Sequence, residues 1–262
     1  MIAVHHDEDA QSPRQDDNFG TMVCFHRNYN LGDEHKHENA DDFLLSLLED
    51  TINKDDGDWY KAERFRERVQ DSFNPQELGW SAYDRAVDNK LLEAISRKHV
   101  IMPLYLYDHS GLSISTGSFT GRAHHADWDS GQVGWIYATK EDVLREFGGK
   151  NLTAAKREQA ETLMRGEVDY YDNYLRGECY GYELYKGGDV VDSCWGFIGD
   201  FDGVLEAIES YLPDECTGIT SDLQEQSEKV SVLAFLKEAS AQIAAAPAPP
   251  IERQASLDAG AR

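Results

Sequence analysis

The chain has 262 residues and a formal net charge of −24, from 49 acidic and 25 basic side chains. A charge of this size repels phosphate backbones, anionic membranes and other acidic proteins, so direct binding to nucleic acid or to a membrane is not expected. With 40% hydrophobic and 11% aromatic residues, the chain has the material for the core of one large domain.

The acidic surplus is uneven. Residues 1–60 hold 15 acids and 4 bases, and residues 181–262 hold 15 and 5, around a nearly neutral middle. Met1 to Asp9 lacks the basic flank and apolar stretch of a secretory signal, and no apolar run has bilayer-spanning length, so the expected location is the cytoplasm. Cys24, Cys179, Cys194 and Cys216 are too widely spaced for a CxxC zinc ribbon, and Cys24 sits in an apolar run as a small buried hydrophobe.

In chain order, residues 1–19 are polar, acidic and aperiodic and read as a flexible arm. Thr21 to His26 alternates as a strand does, and Asn28 to Asn39 reads as a loop. Asp41 and Asp42 then precede Phe43, Leu44, Leu47, Leu48 and Ile52, a helical stripe with acids where the helix dipole favours them. Further helices are predicted over Trp59 to Phe73 and Ser81 to Lys98. Val100 to Tyr107 is a β-rich run in which Pro103 implies an edge or a bulge, and Asp108 to Gly111 turns it back into Leu112 to Thr116.

Gln132 to Ala138 is another strand, followed by Thr139 to Asp142, close to a capping box. A longer helix starts near Thr153 and pauses at Gly166. Tyr180 to Tyr185 and Val190 to Trp195 flank the hairpin turn Lys186 to Asp189. Phe201 to Leu212 is amphipathic, Leu223 to Ala245 is helix-prone, and residues 246–262 form a Pro/Ala-rich tail of disordered composition. Helices and strands run in blocks rather than alternating. The expected fold is therefore a single α+β domain over residues 20–245, with a mixed or antiparallel sheet of about five strands and helices packed on it.

Polar groups cluster beside four of these strands. Asp108, His109 and Ser110 supply the parts of a Ser-His-Asp triad, but three neighbours in one turn cannot line up their hydrogen bonds, so a triad would have to recruit Asp129, Ser130 or His26. Turn chemistry explains the same residue types without an active site. Asp33 to Glu38 and His124 to Asp129 offer metal-ligand atoms without a metal-ligand spacing, so no metal and no cofactor is assigned. Trp128, Trp135 and Trp195 read as core residues.

The segments Gly20 to Asp33, Leu104 to Gly111, Trp128 to Gly134 and Asp192 to Phe197 together resemble a family of uncharacterised proteins encoded by phages, plasmids and other mobile elements. The resemblance spans roughly residues 18–200. It implies a genomic setting and carries no catalytic residue with it. The tail and the His124-His125 pair before Trp128 depart from the family pattern.

Two function classes follow. In the first, an acidic accessory protein binds and inhibits a basic, nucleic-acid-binding host factor, its carboxylates standing in for phosphates. The candidate surface is Asp41, Asp42, Glu49, Asp50, Asp55, Asp56 and Asp58 near one end, and Asp200, Asp202, Glu206 and Glu209 near the other. In the alternative, a small hydrolase or transferase uses His26, Asp108, His109, Asp129, Ser130 and Ser193 at converging strand ends.

Overall fold

A computed structural model describes residues 1–52, 58, 60–216, 218–221 and 223. The fold is α+β, with two antiparallel sheets instead of one. The four-stranded sheet has the order β2 (Thr21–Cys24), β5 (Ser130–Thr139), β3 (His99–Asp108), β4 (Leu112–Ser115). The three-stranded sheet has the order β1 (Ile2–His6), β6 (Cys179–Lys186), β7 (Asp189–Ile198).

Strand alternation gives the four-stranded sheet two apolar faces. Met22, Met102, Leu104, Ile114 and Ile136 face α7 (Ala154–Leu175), which contributes Ala160, Met164 and Val168. Val23 and Trp135 face the other way, into a second core with α1 (Ala40–Ile52), α2 (Lys61–Asp71) and α4 (Trp80–Ile95). Between α2 and α4 lies the short α3 (Pro75–Leu78). Phe43, Leu44 and Leu48 of α1 are fully buried there, each contributing about 1.5–3 kcal/mol of burial free energy. In the third core, Tyr180, Tyr182 and Leu184 of β6 pack on Val204 and Ile208 of α8 (Phe201–Tyr211).

Several local expectations have direct counterparts. Thr139 and Asp142 form a reciprocal capping box at the start of α6 (Lys140–Phe147). β6 and β7 form the hairpin across Lys186 to Asp189. Pro103 lies beyond the residues of β3 that pair with β4, next to a register shift at Leu104/Tyr105. Gly166 does not interrupt α7.

Residues 1–19 are not a loose arm. Ile2 to His6 pair with Tyr180 to Leu184, and Arg14 is buried. A five-residue strand flanked by acids is too short to display its period, and its partner lies more than 170 residues away. The Arg14 guanidinium makes a two-pronged ion pair with Asp33, both N···O distances 2.8 Å, and donates to the Gly20 carbonyl at 2.6 Å. Glu167 of α7 completes the group, 3.4 Å from Arg14 and accepting the Phe19 and Gly20 amides. These charge-assisted bonds offset the cost of burying the ions. Asp55, Asp56 and the predicted elements from 224 onward lie outside the described residues.

Candidate active site at the end of the four-stranded sheet

β2 follows β5 only from Thr21 to Cys24. Gly134 allows that approach, because a Cβ there would fall 1.9 Å from the Val23 carbonyl oxygen. Beyond Phe25, whose amide still donates to the Val133 carbonyl, the chain swings away and returns at Gly32, whose φ of +72° suits glycine and which bridges back to Val23. The Asp33 amide then donates to the Met22 carbonyl. Arg14 therefore holds, through Asp33, the far end of this loop.

Where β2 leaves β5, two cavities open on either side of the loop and share Phe25, His26 and Arg27 as a common wall. The larger, about 680 Å³, runs along the loop to His35 and His37. The smaller, about 340 Å³, is bounded by His26, Arg27, Asp108, Trp128, Asp129 and Ser130.

Three strand ends supply the polar groups of the smaller cavity. Asp108 ends β3, and its Oδ2 accepts the hydroxyl of buried Tyr29 at 3.0 Å. The His26 ring stacks on Tyr29, with centroids 4.9 Å apart and planes 6° apart. The Asn28 amide donates to His26 Nδ1 at 3.3 Å, so the neutral ring carries its proton on Nε2. Burial pushes the His26 pKa down, against a raising contribution from Asp108, so the ring is held as a neutral donor. The Tyr29 hydroxyl is pushed up, by burial and by Asp108.

His109, on the turn after β3, lies 2.8 Å through Nδ1 from Asp129 Oδ2. A carboxylate only accepts, so Nδ1 carries the proton and the Nε2 lone pair is left for other work. Tyr107 stacks on the His109 ring and donates its hydroxyl to the His124 carbonyl. Asp129 closes α5 (Ala126–Asp129), which follows His125, the non-glycine residue with positive φ (55°) among the described residues. Arg27 is exposed and makes no ion pair among the described residues.

Of the sequence candidates, the structure brings His26, Asp108, Asp129 and Ser130 onto the wall of the smaller cavity, and His109 reaches it only through its contact with Asp129. Ser130 is not positioned as a nucleophile, because its hydroxyl donates to the Ala126 carbonyl at 2.6 Å and closes the α5 turn. Ser193 does not join the group at all, since β7 belongs to the three-stranded sheet. Sequence reading missed Tyr29, whose ring and hydroxyl tie His26 to Asp108. It also took Trp128 as core, whereas Trp128 stands 87% exposed at the cavity rim, because the α5 turn buries only Ala126.

The acidic candidates are scattered, and several are engaged. Asp42 accepts the Glu38 amide, Asp50 lies 3.3 Å from His99, Asp58 pairs with Arg64, and Asp200 caps α8. Glu209 accepts from Gly218 and Thr220, while Asp41, Asp202 and Glu206 are exposed and Glu49 is half-buried. Asp41, Asp42, Glu49 and Asp50 belong to α1, while Asp202, Glu206 and Glu209 belong to α8 on the other sheet.

Among the described residues, no three or more His, Cys, Asp or Glu are grouped to hold a metal ion. No helix of the described chain is long and apolar enough to cross a membrane. The thiols offer no nucleophile here: Cys24 lies in the wall of the larger cavity, and burial pushes its pKa up to about 12. Comparison with protein-family models, with curated proteins and with solved structures found no match.

Proposed function

We propose that the chain is a small hydrolase whose site is the cavity between the end of β5 and the Phe25 to Leu31 loop. The observation that carries this reading is the His109–Asp129 pair at 2.8 Å, in which Asp129 lines the cavity together with His26 and Asp108 while His109 stands behind it. Asp129 orients the imidazole, and His109 Nε2 takes a proton from water as that water attacks the substrate. The neutral His26 Nε2–H and the Arg27 guanidinium face the charge that develops on the substrate oxygen. Tyr29 positions His26 by stacking, and Asp108 positions Tyr29.

The test is turnover of a panel of chromogenic carboxylic esters, phosphoesters and amides by the full chain. One class is expected to be cleaved, with H109A and D129N each lowering kcat by about 10²–10⁴ while circular dichroism stays unchanged. S130A and S193A are expected to retain activity. Cleavage that survives H109A, or no cleavage of any class, would count decisively against the reading.

A second reading, as an acidic inhibitor of a basic nucleic-acid-binding host factor, is favoured by one observation. Asp88 and Asp84 lie one turn apart on α4 beside Asp41 of α1. Burial, then Asp41 and Asp84, push the Asp88 pKa up to about 6, and the three carboxylates together give a cationic partner an acidic face to meet. The mobile-element resemblance suits such a role. The reading predicts capture of a basic partner that weakens steeply with salt, and it fails if D41N/D84N/D88N captures the same partner equally well.

A further inference from the structure

The three-stranded sheet carries an aromatic platform that the proposed hydrolysis does not use. His5, Gly181 and Trp195 are in register across β1, β6 and β7. The indole lies on the backbone of Gly181, where a Cβ would fall 2.2 Å from the Trp195 ring. The His5 ring is nearly parallel to the indole, with 21° between planes and 6.2 Å between centroids. Trp195 is still 46% exposed, so a flat ring face is presented to solvent.

This exposure is not a poorly made core. The opposite face of the sheet packs on α8 through Tyr180, Tyr182 and Leu184. Strand alternation instead puts Glu183 and Ser193, which are paired across β6 and β7, on the same face as Trp195. Tyr185 donates its hydroxyl to the Glu183 carboxylate, and His5 Nε2 lies 3.8 Å from the same group. Ser193 is exposed beside them.

A flat ring bordered by a carboxylate and a hydroxyl suits a ligand with a broad C–H face and a rim of hydroxyl groups. A pyranose has that shape. A nucleobase also stacks on indole, but its phosphates would meet Glu183 and a chain of net charge −24. We propose that this face binds a neutral glycan, with one pyranose ring stacked on Trp195 and its hydroxyls bonded to Glu183 and Ser193. The site is separate from the cavity of the hydrolase reading and stands or falls without it.

The test is titration of the full chain with neutral hexasaccharides of glucose, N-acetylglucosamine, mannose and galactose, followed by calorimetry and by the NMR signal of the Trp195 indole N–H. At least one sugar is expected to bind in the millimolar range or tighter and to shift that signal. W195A is expected to weaken binding about tenfold or more, the loss of one stacked ring, and E183Q to weaken it by a smaller factor. W195F keeps a flat ring and should stay within about threefold. H109A should bind as the parent does, which separates this site from the hydrolase cavity. The proposal is overturned if no hexasaccharide binds at millimolar concentration, or if W195A binds as well as the parent. Trp195-dependent binding of single-stranded oligothymidylate in place of sugar, or a Trp195-dependent dimer in sedimentation, would also overturn it.

Discussion

The four-stranded sheet is enclosed on both faces, by α6 and α7 on one side and by α1, α2 and α4 on the other, whereas the three-stranded sheet packs one face on α8 and leaves much of the other to solvent. The polar chemistry of the first is confined to the end where β2 leaves β5 and a cavity opens. That of the second lies flat on a strand surface. Enclosure also decides what each sheet tolerates, since a change inside the enclosed sheet has no room to relax while a change on the open face moves into water.

Four substitutions sharpen that contrast, the largest expected effect first. R14A leaves half-buried Asp33 and Glu167 without their cation and should cost about 3 kcal/mol in urea unfolding. Its hydrogen-exchange losses should concentrate at Gly20 to Asp33, at the wall of the cavities. G134A drives a methyl group into the backbone of β2 and should cost about 1–3 kcal/mol. D88N removes a carboxylate that burial, then Asp41 and Asp84, disfavour. A carboxyl whose folded pKa is raised stabilises the fold at low pH and loses that contribution as pH rises through about 6. D88N should therefore gain about 1 kcal/mol at pH 7, after solvent screening, and nothing below about pH 4. In G181A the new methyl group's nearest neighbours belong to the half-exposed Trp195 indole, which must shift towards solvent, so its cost should be about 1 kcal/mol and below that of G134A. Equal costs for G134A and G181A would break the comparison.

The local grammar of the fold was legible in the sequence. Alternation exposed β2 and β5, the apolar stripe exposed α1, and Thr139 with Asp142 marked the start of α6. The division into two sheets was not, because it depends on Ile2 to His6 pairing with a strand on the far side of the chain, and a short strand carries no sign of its partner. The same distance hid the Arg14, Asp33 and Glu167 group. At the site, residue types were readable and relationships were not. Asp108, His109 and Ser110 stand together in the chain, yet His109 turns to Asp129 and Asp108 to Tyr29. Trp128 and Trp195 looked like core because large aromatics usually are. One stands on a four-residue helical turn, and the other lies on a glycine of an open face.

The proposed hydrolysis depends on Asp129, in the cavity wall, orienting the His109 imidazole, and the tautomer of His109 measures that directly. A two-bond ¹H–¹⁵N correlation spectrum of the neutral ring should show the proton on Nδ1 and a bare Nε2, with D129N abolishing that preference. A His109 ring protonated on Nε2, with the same spectrum in D129N, would contradict the account.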